Sequence, residues 1–129
     1  MKYKKGFSIL VACKDAATRL PSTLLHLAKL EVNEEFSFEV IIVSNGSTDN
    51  TVVIADKLCA EKLAHVSTKI IELPLPGKTE ALETAIKASS FEYLLLCDDD
   101  NWLDSKYLLY SYERMRYPKI GILGGYSEY

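Results

Sequence analysis

The sequence has little of what marks a nucleic-acid-binding, secreted or membrane-spanning protein. Lys and Arg total 15 of 129 residues against 18 Asp and Glu, the net charge is −3, and no basic stripe suggests nucleic acid. The three cysteines are widely spaced without a C-x-x-C pair, which favours reduced thiols over disulfides or a zinc site. Apolar runs are far too short to cross a bilayer, and Lys14 and Asp15 interrupt the first one, so no secretory signal is expected. We therefore expect a single cytoplasmic domain over residues 1–129.

Three consecutive aspartates, Asp98, Asp99 and Asp100, directly follow the run YLLLC at residues 93–97. The run predicts a short strand that is buried on both faces. Two carboxylates about 4 Å apart repel by roughly 1 kcal/mol in water and about 4 kcal/mol at an effective dielectric of about 20, so a cation is expected beside them. If the extended backbone continues, Asp98 and Asp100 point to one side and form a pair suited to Mg²⁺ or Mn²⁺. The alternative is a solvated turn, with Asp104 capping the next helix.

Strand-like and helix-like patterns alternate along the chain. Short apolar or β-branched runs predict strands at residues 7–13, 38–43, 69–73, 93–97 and 120–123. The segments between them predict helices with buried stripes at Leu20, Leu24, Leu27 and Ala28; at Val52, Ala55, Cys59 and Leu63; at Leu82, Ala85, Ile86 and Ser89; and at Leu108, Tyr112 and Met115. This order predicts an α/β fold, a parallel-rich Rossmann-like three-layer sandwich.

Polar segments follow four of the predicted strands: Lys14-Asp15, residues 44–49, Gly77-Lys78 and the three aspartates. The carboxyl ends of parallel strands share one edge of the sheet, and ligands bind outside that edge. A cation, a turn rich in hydrogen-bond donors, a lysine beside a glycine and an acid pair together describe a pocket for a phosphorylated ligand.

Three other interpretations of these motifs fit less well. The segment Gly77-Lys78-Thr79 lacks the first glycine of a P-loop, because position 72 is Glu. Haloacid-dehalogenase-type phosphohydrolases also place an aspartate pair after a strand, with the first as nucleophile, but that pair follows their first strand and this one the fourth. Receiver domains likewise carry their acid pair after strand one.

Four segments in series resemble one known family. FSILVACKDAATRL is similar to the first strand and loop of the family 2 inverting glycosyltransferases, which adopt the GT-A fold, and EVIIVSNGSTDNT to their second strand and DDGSTD turn. PGKTEALETAIKAS is similar to the GK-x-x-A-L-N-x-G-I segment, and YLLLCDDDNWL to the D-x-D-D-x-L strand end. The resemblance covers about residues 7–125, in the nucleotide-sugar-binding half of that family.

The resemblance implies roles for individual residues. Asp98 is expected near the ribose or the metal, and Asp100 is expected to coordinate the Mg²⁺ or Mn²⁺ that bridges the diphosphate. The residues implied to bind the nucleotide sugar are Ala12, Cys13, Lys14, Ser44, Asn45, Lys78, Asp98 and Asp99. Ser44 and Asn45 replace the two acids that open the family's turn, so altered base contacts are expected, with Asn45 still offering a donor and an acceptor. Glu83 and Ala85 stand where the family often has Asn and Gly.

The resemblance also implies a reaction. A sugar is transferred with inversion and metal assistance from a nucleoside-diphosphate sugar, expected to be a UDP-sugar, to a glycan or lipid-linked acceptor in polysaccharide biosynthesis. In the family the general base lies beyond the fifth strand, so the chain is expected to be a donor-binding fragment, inactive alone and without a catalytic residue. The alternatives are a non-catalytic nucleotide-binding or interaction module and a metal-dependent phosphohydrolase using Asp98. The expected location is the cytoplasm or, for the intact protein, the inner face of the membrane.

Aromatic residues are concentrated after the aspartates. Trp102 and Tyr112 are expected to pack in the core and not to stack on a sugar. The later tyrosines, among them Tyr117, Tyr126 and Tyr129, are expected to form an apolar patch that the missing half would cover, and so to favour self-association.

Overall fold

Strands and helices alternate four times within residues 3–115, which are the residues that the computed structural model describes. The elements in order are β1 Lys4–Cys13, α1 Leu20–Leu27, β2 Ser37–Asn45, α2 Thr51–Lys62, β3 Ser67–Leu73, α3 Lys78–Ala88, β4 Phe91–Leu96 and α4 Tyr107–Met115. The first four predicted strands and all four predicted helices are confirmed. The strand predicted at residues 120–123 and the tyrosines beyond residue 115 lie outside the described residues.

All four described strands are parallel, in the order β3-β2-β1-β4. In the register, Ile9 lies beside Val40 of β2 on one side and beside Leu95 of β4 on the other. The chain therefore moves outward from β1 in one direction, through β2 and β3, and then returns to the other side of β1 to form β4. This reversal makes the carboxyl ends of β1 and β4 the switch point where α/β sheets bind ligands. The predicted parallel α/β fold is confirmed.

Helices cover both faces of the sheet, because successive strand side chains point to opposite sides. On the first face, residues of β1 such as Ile9 and Val11 join a core with Leu20 and Leu24 of α1 and Leu108 of α4. On the second face, the core consists of Leu10, Ile41, Val43, Ala81 and Ala85.

Helix α3 packs on the second face through small residues. Its buried residues are Ala81 and Ala85, whereas Ile86 is 46% exposed and Leu82 is half-buried. Of the predicted stripe, only Ala85 is therefore fully buried. The sheet beneath α3 presents large side chains, so the two alanines allow the helix to approach the sheet closely. The larger residues of α3 lie toward the solvent side of the helix.

The apolar run of β4 predicted a strand that is buried on both faces, and this prediction is wrong. Tyr93 and Leu95 pack against the first core, but Leu94 is 46% and Leu96 is 61% exposed. The cause is the position of α3, which packs on β1 and β2 and leaves the same face of β4 uncovered within the described residues. Continuous hydrophobicity predicted the strand correctly and its environment incorrectly.

A buried carboxylate ties the strands together at their amino ends. Glu39 is 1% exposed, and its Oε2 accepts hydrogen bonds from Ser8 Oγ at 2.6 Å, Ser90 N at 2.7 Å and Ser90 Oγ at 3.0 Å. Its Oε1 lies 3.2 Å from Lys69 Nζ. Burial alone would raise the pKa of Glu39, but the bonds from Ser8, Ser90 and Lys69 outweigh it and hold that pKa below its usual value. The network links β1, β2, β3 and the residue before β4, away from the carboxyl ends of the strands.

Candidate functional site

A cleft of about 390 Å³ opens at the carboxyl ends of β1 and β4. It is lined by Ala12, Cys13, Lys14, Arg19, Asn45, Lys78, Asp98, Asp99 and Asp100. These include every residue that the sequence predicted for ligand or metal binding except Ser44. The side chain of Ser44 is buried, and its Oγ donates to Ser47 Oγ at 2.8 Å. The predicted convergence of the polar segments on one edge is confirmed; the roles of the individual residues stay predictions.

The three aspartates lie in a turn. β4 ends at Leu96, and the amide of Asn101 donates to the carbonyl of Asp98 at 3.2 Å, which closes a turn over Asp99 and Asp100. The extended backbone therefore does not continue, and strand alternation does not set the directions of these side chains. All three line the same cleft, and no described residue forms a hydrogen bond or ion pair with the carboxylates of Asp98 or Asp100.

Arg19 supplies the cation that the sequence predicted beside the aspartates. Its Nε and Nη2 donate to the two carboxylate oxygens of Asp99, both at 3.1 Å, and Nη2 also donates to the carbonyl of Lys14 at 3.2 Å. The hydrogen bonds and charge of Asp99 raise the pKa of Arg19, so the guanidinium stays charged. The sequence did not identify Arg19, because its partner is 80 positions away. The only signal was its place after β1, between that strand and α1.

Asp15 holds the loop after β2 against the loop after β1. Its Oδ1 accepts hydrogen bonds from the amide of Thr48 at 2.7 Å, from Thr48 Oγ1 at 3.2 Å and from the amide of Asp49 at 3.3 Å. The hydrogen bond from the Thr48 amide is the largest cause of a pKa of Asp15 below its usual value. Asp15 has a φ of 48°, in the left-handed region that aspartate tolerates better than most residues. The sequence placed Asp15 at the right edge but gave it no role.

The start of α2 completes this junction. Asp49 Oδ1 accepts from the amide of Thr51 at 3.0 Å, its Oδ2 accepts from the amide of Ala17 at 3.2 Å, and Thr51 Oγ1 accepts from the amide of Ala16 at 2.9 Å. Asp49 thus contacts the first residue of α2 and also fixes the β1–α1 loop, while Asn50 at the N-cap makes no side-chain capping bond. The walls of the cleft are therefore joined by side-chain hydrogen bonds between two loops.

Asn45 connects the loop after β2 with the start of α3. Its Oδ1 accepts a hydrogen bond from the amide of Gly77 at 2.5 Å, so the acceptor predicted to meet a base is already engaged, whereas no residue within 3–115 accepts a hydrogen bond from its NH₂ group. The next residue, Gly46, has a φ of 71°, and a Cβ there would lie 2.6 Å from Pro76 N. Glycine at position 46 allows the segment 74–77 to approach and brings Lys78 to the cleft.

The two cysteines near the cleft are buried packing residues. Burial, followed by the charge of Asp99, raises the pKa of Cys13 to about 11, and burial with the charge of Asp98 raises the pKa of Cys97 to about 12. Both are free thiols and remain protonated near neutral pH. These surroundings do not suit either thiol to act as a nucleophile.

His26 and Trp102 form a separate aromatic pair. Their rings stack with centroids 5.1 Å apart and an interplanar angle of 5°, and His26 Nδ1 lies 2.8 Å from the carbonyl oxygen of Ser22. Trp102 is only partly buried, in contrast to the predicted core packing, whereas Tyr112 is buried as predicted. Trp102 is covered in part by its stack on His26 at the surface of α1 and not by the core.

Other candidate sites within residues 3–115 are less suited to chemistry. A second groove of about 460 Å³ between α2 and β3 is lined mostly by apolar side chains, with Asp56 as its only charged residue. No group of three or more His, Cys, Asp or Glu residues in this part of the chain is arranged to hold a metal ion. Nor is any helix found there long and apolar enough to span a membrane.

Comparisons with known proteins show which family the sequence matches. The model of the family described as glycosyl transferase family 2 matches residues 8–128. Poly-beta-1,6-N-acetyl-D-glucosamine synthase of Staphylococcus epidermidis is 33% identical over 123 residues, which are 94% of this chain and 28% of that protein. The chain thus spans little more than a quarter of the length of the curated relatives it matches.

Solved structures show the same fold. TarS residues 1–349 of S. aureus in complex with UDP is 25% identical, with a TM-score of 0.73 over 82% of this chain and 30% of that chain. The same protein in complex with UDP-GlcNAc is 26% identical with a TM-score of 0.70, at the same coverage. The mannosyltransferase PcManGT from Pyrobaculum calidifontis, solved with GDP-Man and Mn²⁺, is 21% identical with a TM-score of 0.83 over 93% of this chain and 35% of that chain, and supports the fold alone.

Proposed function

Because the chain belongs to glycosyl transferase family 2, we propose that its cleft binds the nucleoside diphosphate of a sugar donor. The intact protein, in this proposal, transfers the sugar with inversion to a glycan or lipid-linked hydroxyl. The observation that carries the proposal is the cleft at the switch point of the sheet, where Lys14, Lys78 and the acidic turn meet. The chain itself is proposed to supply donor binding, with the acceptor site and general base in further sequence of the intact protein.

UDP-N-acetylglucosamine is the proposed donor. Poly-beta-1,6-N-acetyl-D-glucosamine synthase is a relative by sequence, and TarS, which was solved with UDP-GlcNAc, is a relative by structure. Both names refer to the same amino sugar. The proposed biological role is accordingly the synthesis of a polysaccharide, on the cytoplasmic side of a membrane.

Polar groups of the chain suit the parts of such a donor. The ammonium groups of Lys14 and Lys78 line the cleft and are proposed to face the diphosphate. Lys14 Nζ lies 3.4 Å from Asp15, a long contact between exposed groups that a phosphate can replace. The NH₂ of Asn45 and the backbone at Ala12 and Cys13 are proposed to contact the base and ribose.

A divalent cation, Mg²⁺ or Mn²⁺, fits the remaining donor set. Asp98 and Asp100 offer carboxylates that no described residue engages, and such ions typically take one or two protein carboxylates, completed by phosphate oxygens and water. When bound, the ion would neutralise charge on the departing diphosphate.

Neither alternative function gains support from the structure. The Asp98-x-Asp100 pair follows the fourth strand, and the family match and the named relatives are glycosyltransferases and not phosphohydrolases. A non-catalytic nucleotide-binding module would have the same cleft. This alternative differs from the proposal only in whether the intact protein catalyses sugar transfer.

Calorimetric titration of UDP, with and without Mn²⁺, tests the proposal. We expect binding that requires Mn²⁺ in the wild-type chain and is at least tenfold weaker in Asp100→Asn, because that change removes one of two available carboxylates. Asp56→Asn is the matched control, since Asp56 lies in the separate α2–β3 groove. Equal UDP binding by Asp100→Asn and wild type, or no UDP binding at all, would contradict the proposed donor site.

A further inference from the structure

Arg19 binds one of the three carboxylates that line the cleft. Both oxygens of Asp99 accept hydrogen bonds from the Arg19 guanidinium, and the Asp99 side chain is only 16% exposed. A guanidinium fork matched to a carboxylate in this way uses the acceptor positions that a metal ion would need. Asp99 is thus withheld from any cation in the cleft, whereas no residue within 3–115 binds the carboxylates of its neighbours Asp98 and Asp100.

The two remaining carboxylates supply few of the ligands that a divalent ion needs when no substrate is bound. Asp98 and Asp100 together provide at most part of the six oxygen ligands that Mg²⁺ requires, and the rest must come from water or phosphate. Three carboxylates on one turn would offer a more complete set. The ion pair between Arg19 and Asp99 therefore determines whether two or three carboxylates of the turn are available to an ion.

Charge acts in the same direction as ligand number. By Coulomb's law, a unit positive charge about 8 Å from a divalent ion weakens the affinity for that ion by about five- to tenfold in a largely aqueous cleft. Arg19 stays charged, and the charge of Asp100 also contributes to the raised pKa of its guanidinium. The guanidinium therefore opposes a bare cation at the acidic turn.

We infer that Arg19, by holding Asp99, makes divalent-cation binding in this cleft depend on the nucleotide. The cation then enters with a diphosphate, whose oxygens supply the ligands and whose negative charge offsets Arg19. Arg19 is in this account a positioning residue and not a catalytic one. The inference rests on the proposed donor site and adds a specific property to it.

The turn keeps its place when Arg19 is replaced, which makes the inference testable. Thr23, fully buried in α1, donates through Oγ1 to the carbonyl of Asp99 at 2.6 Å. The amide of Cys97 donates to the carbonyl of Leu10 at 2.9 Å and extends the strand pairing to the edge of the turn. Replacing Arg19 therefore releases the carboxylate of Asp99 without releasing the turn.

The experiment is a double-mutant cycle on Mn²⁺ binding. Free Mn²⁺ is measured by electron paramagnetic resonance during titration of the wild-type chain, Arg19→Gln, Asp99→Asn and the double variant, each with and without UDP. Arg114→Gln is the matched control. It removes the same charge at the far end of the sheet, where the carbonyl of neighbouring Met115 accepts a hydrogen bond from Tyr93 near the start of β4.

We expect Arg19→Gln to bind Mn²⁺ alone at least fivefold more tightly than wild type, and UDP to increase Mn²⁺ affinity less in this variant than in wild type. The double variant should return to within about twofold of wild type, because it loses the negative charge and the oxygen ligands of Asp99 together with the positive charge of Arg19. The inference is overturned if Arg19→Gln binds Mn²⁺ no more tightly, if the gain persists in the double variant, or if Arg114→Gln gains equally.

Failure of the proposed function gives a different result. If UDP binds to none of the proteins, the donor site is wrong, while the titrations with Mn²⁺ alone still decide whether Arg19 withholds Asp99.

Discussion

Replacing the buried carboxylate of Glu39 should destabilise the fold strongly without touching the cleft. Glu39→Gln keeps the shape of the side chain but removes the charge that accepts three hydrogen bonds from Ser8 and Ser90 and pairs with Lys69. Hydrogen bonds to a charged group contribute about 1.5–3 kcal/mol each, and a glutamine oxygen still accepts some of them. We expect a loss of about 2–4 kcal/mol in the free energy of unfolding, and about 3–5 kcal/mol for Glu39→Ala, which leaves the partners unpaired.

Urea denaturation followed by circular dichroism measures this loss. Glu61→Gln is the control, since Glu61 is exposed on α2, and substitutions of that kind usually change stability by less than about 0.5 kcal/mol. The network also predicts a pH dependence. Because the folded pKa of Glu39 is lowered, its stabilisation is present above the unfolded pKa of about 4.3 and is lost as pH falls through the folded pKa. A Glu39→Gln protein as stable as the control, or one with an unchanged acid limb, would refute the reasoning.

Further substitutions test the loops around the cleft. Asp15→Ala should weaken UDP binding about five- to tenfold in calorimetry, because it frees the loop after β2. Asp15→Asn keeps an acceptor oxygen and tolerates a φ of 48°, so its affinity for UDP should stay within about twofold of wild type. Equal affinities of the two variants would contradict the proposed role of Asp15 in holding the loop. Gly46→Ala should lower the free energy of unfolding by about 2 kcal/mol or more, because of its φ of 71° and the contact with Pro76. Gly77→Ala should cost less than about 1 kcal/mol, since the nearest neighbouring atom would lie 3.6 Å away; thermal melts showing equal costs would contradict this comparison.

The element order and the parallel sheet could be predicted because they depend on local patterns. Apolar runs of strand length, separated by helical stripes, leave few arrangements other than a parallel sheet. The environment of each element could not be predicted in the same way. Leu94 and Leu96 are as apolar as their neighbours in β4, and they are exposed only because α3 packs over β1 and β2. Burial at such positions is decided by neighbours that the local pattern does not specify.

The candidate site could be predicted in place but not in detail. The carboxyl ends of the strands brought Lys14, Asn45, Lys78 and the aspartates together as expected. The partners that fix them could not be predicted, because pairs such as Arg19 with Asp99 join positions far apart in the sequence. Ser44 shows the same limit, since only the three-dimensional structure reveals that its side chain is buried and bonded to Ser47.

The most direct test of a metal-assisted donor site is the nuclear magnetic resonance spectrum of the chain with substoichiometric Mn²⁺, recorded with and without UDP. Paramagnetic broadening reports which amides lie near the ion. We expect UDP-dependent broadening centred on Asp98–Asp100 and residues 12–14, with the amides around Glu39 and Ser90 at the other end of the sheet unaffected. Broadening centred on the groove between α2 and β3, or no broadening that depends on UDP, would contradict the account.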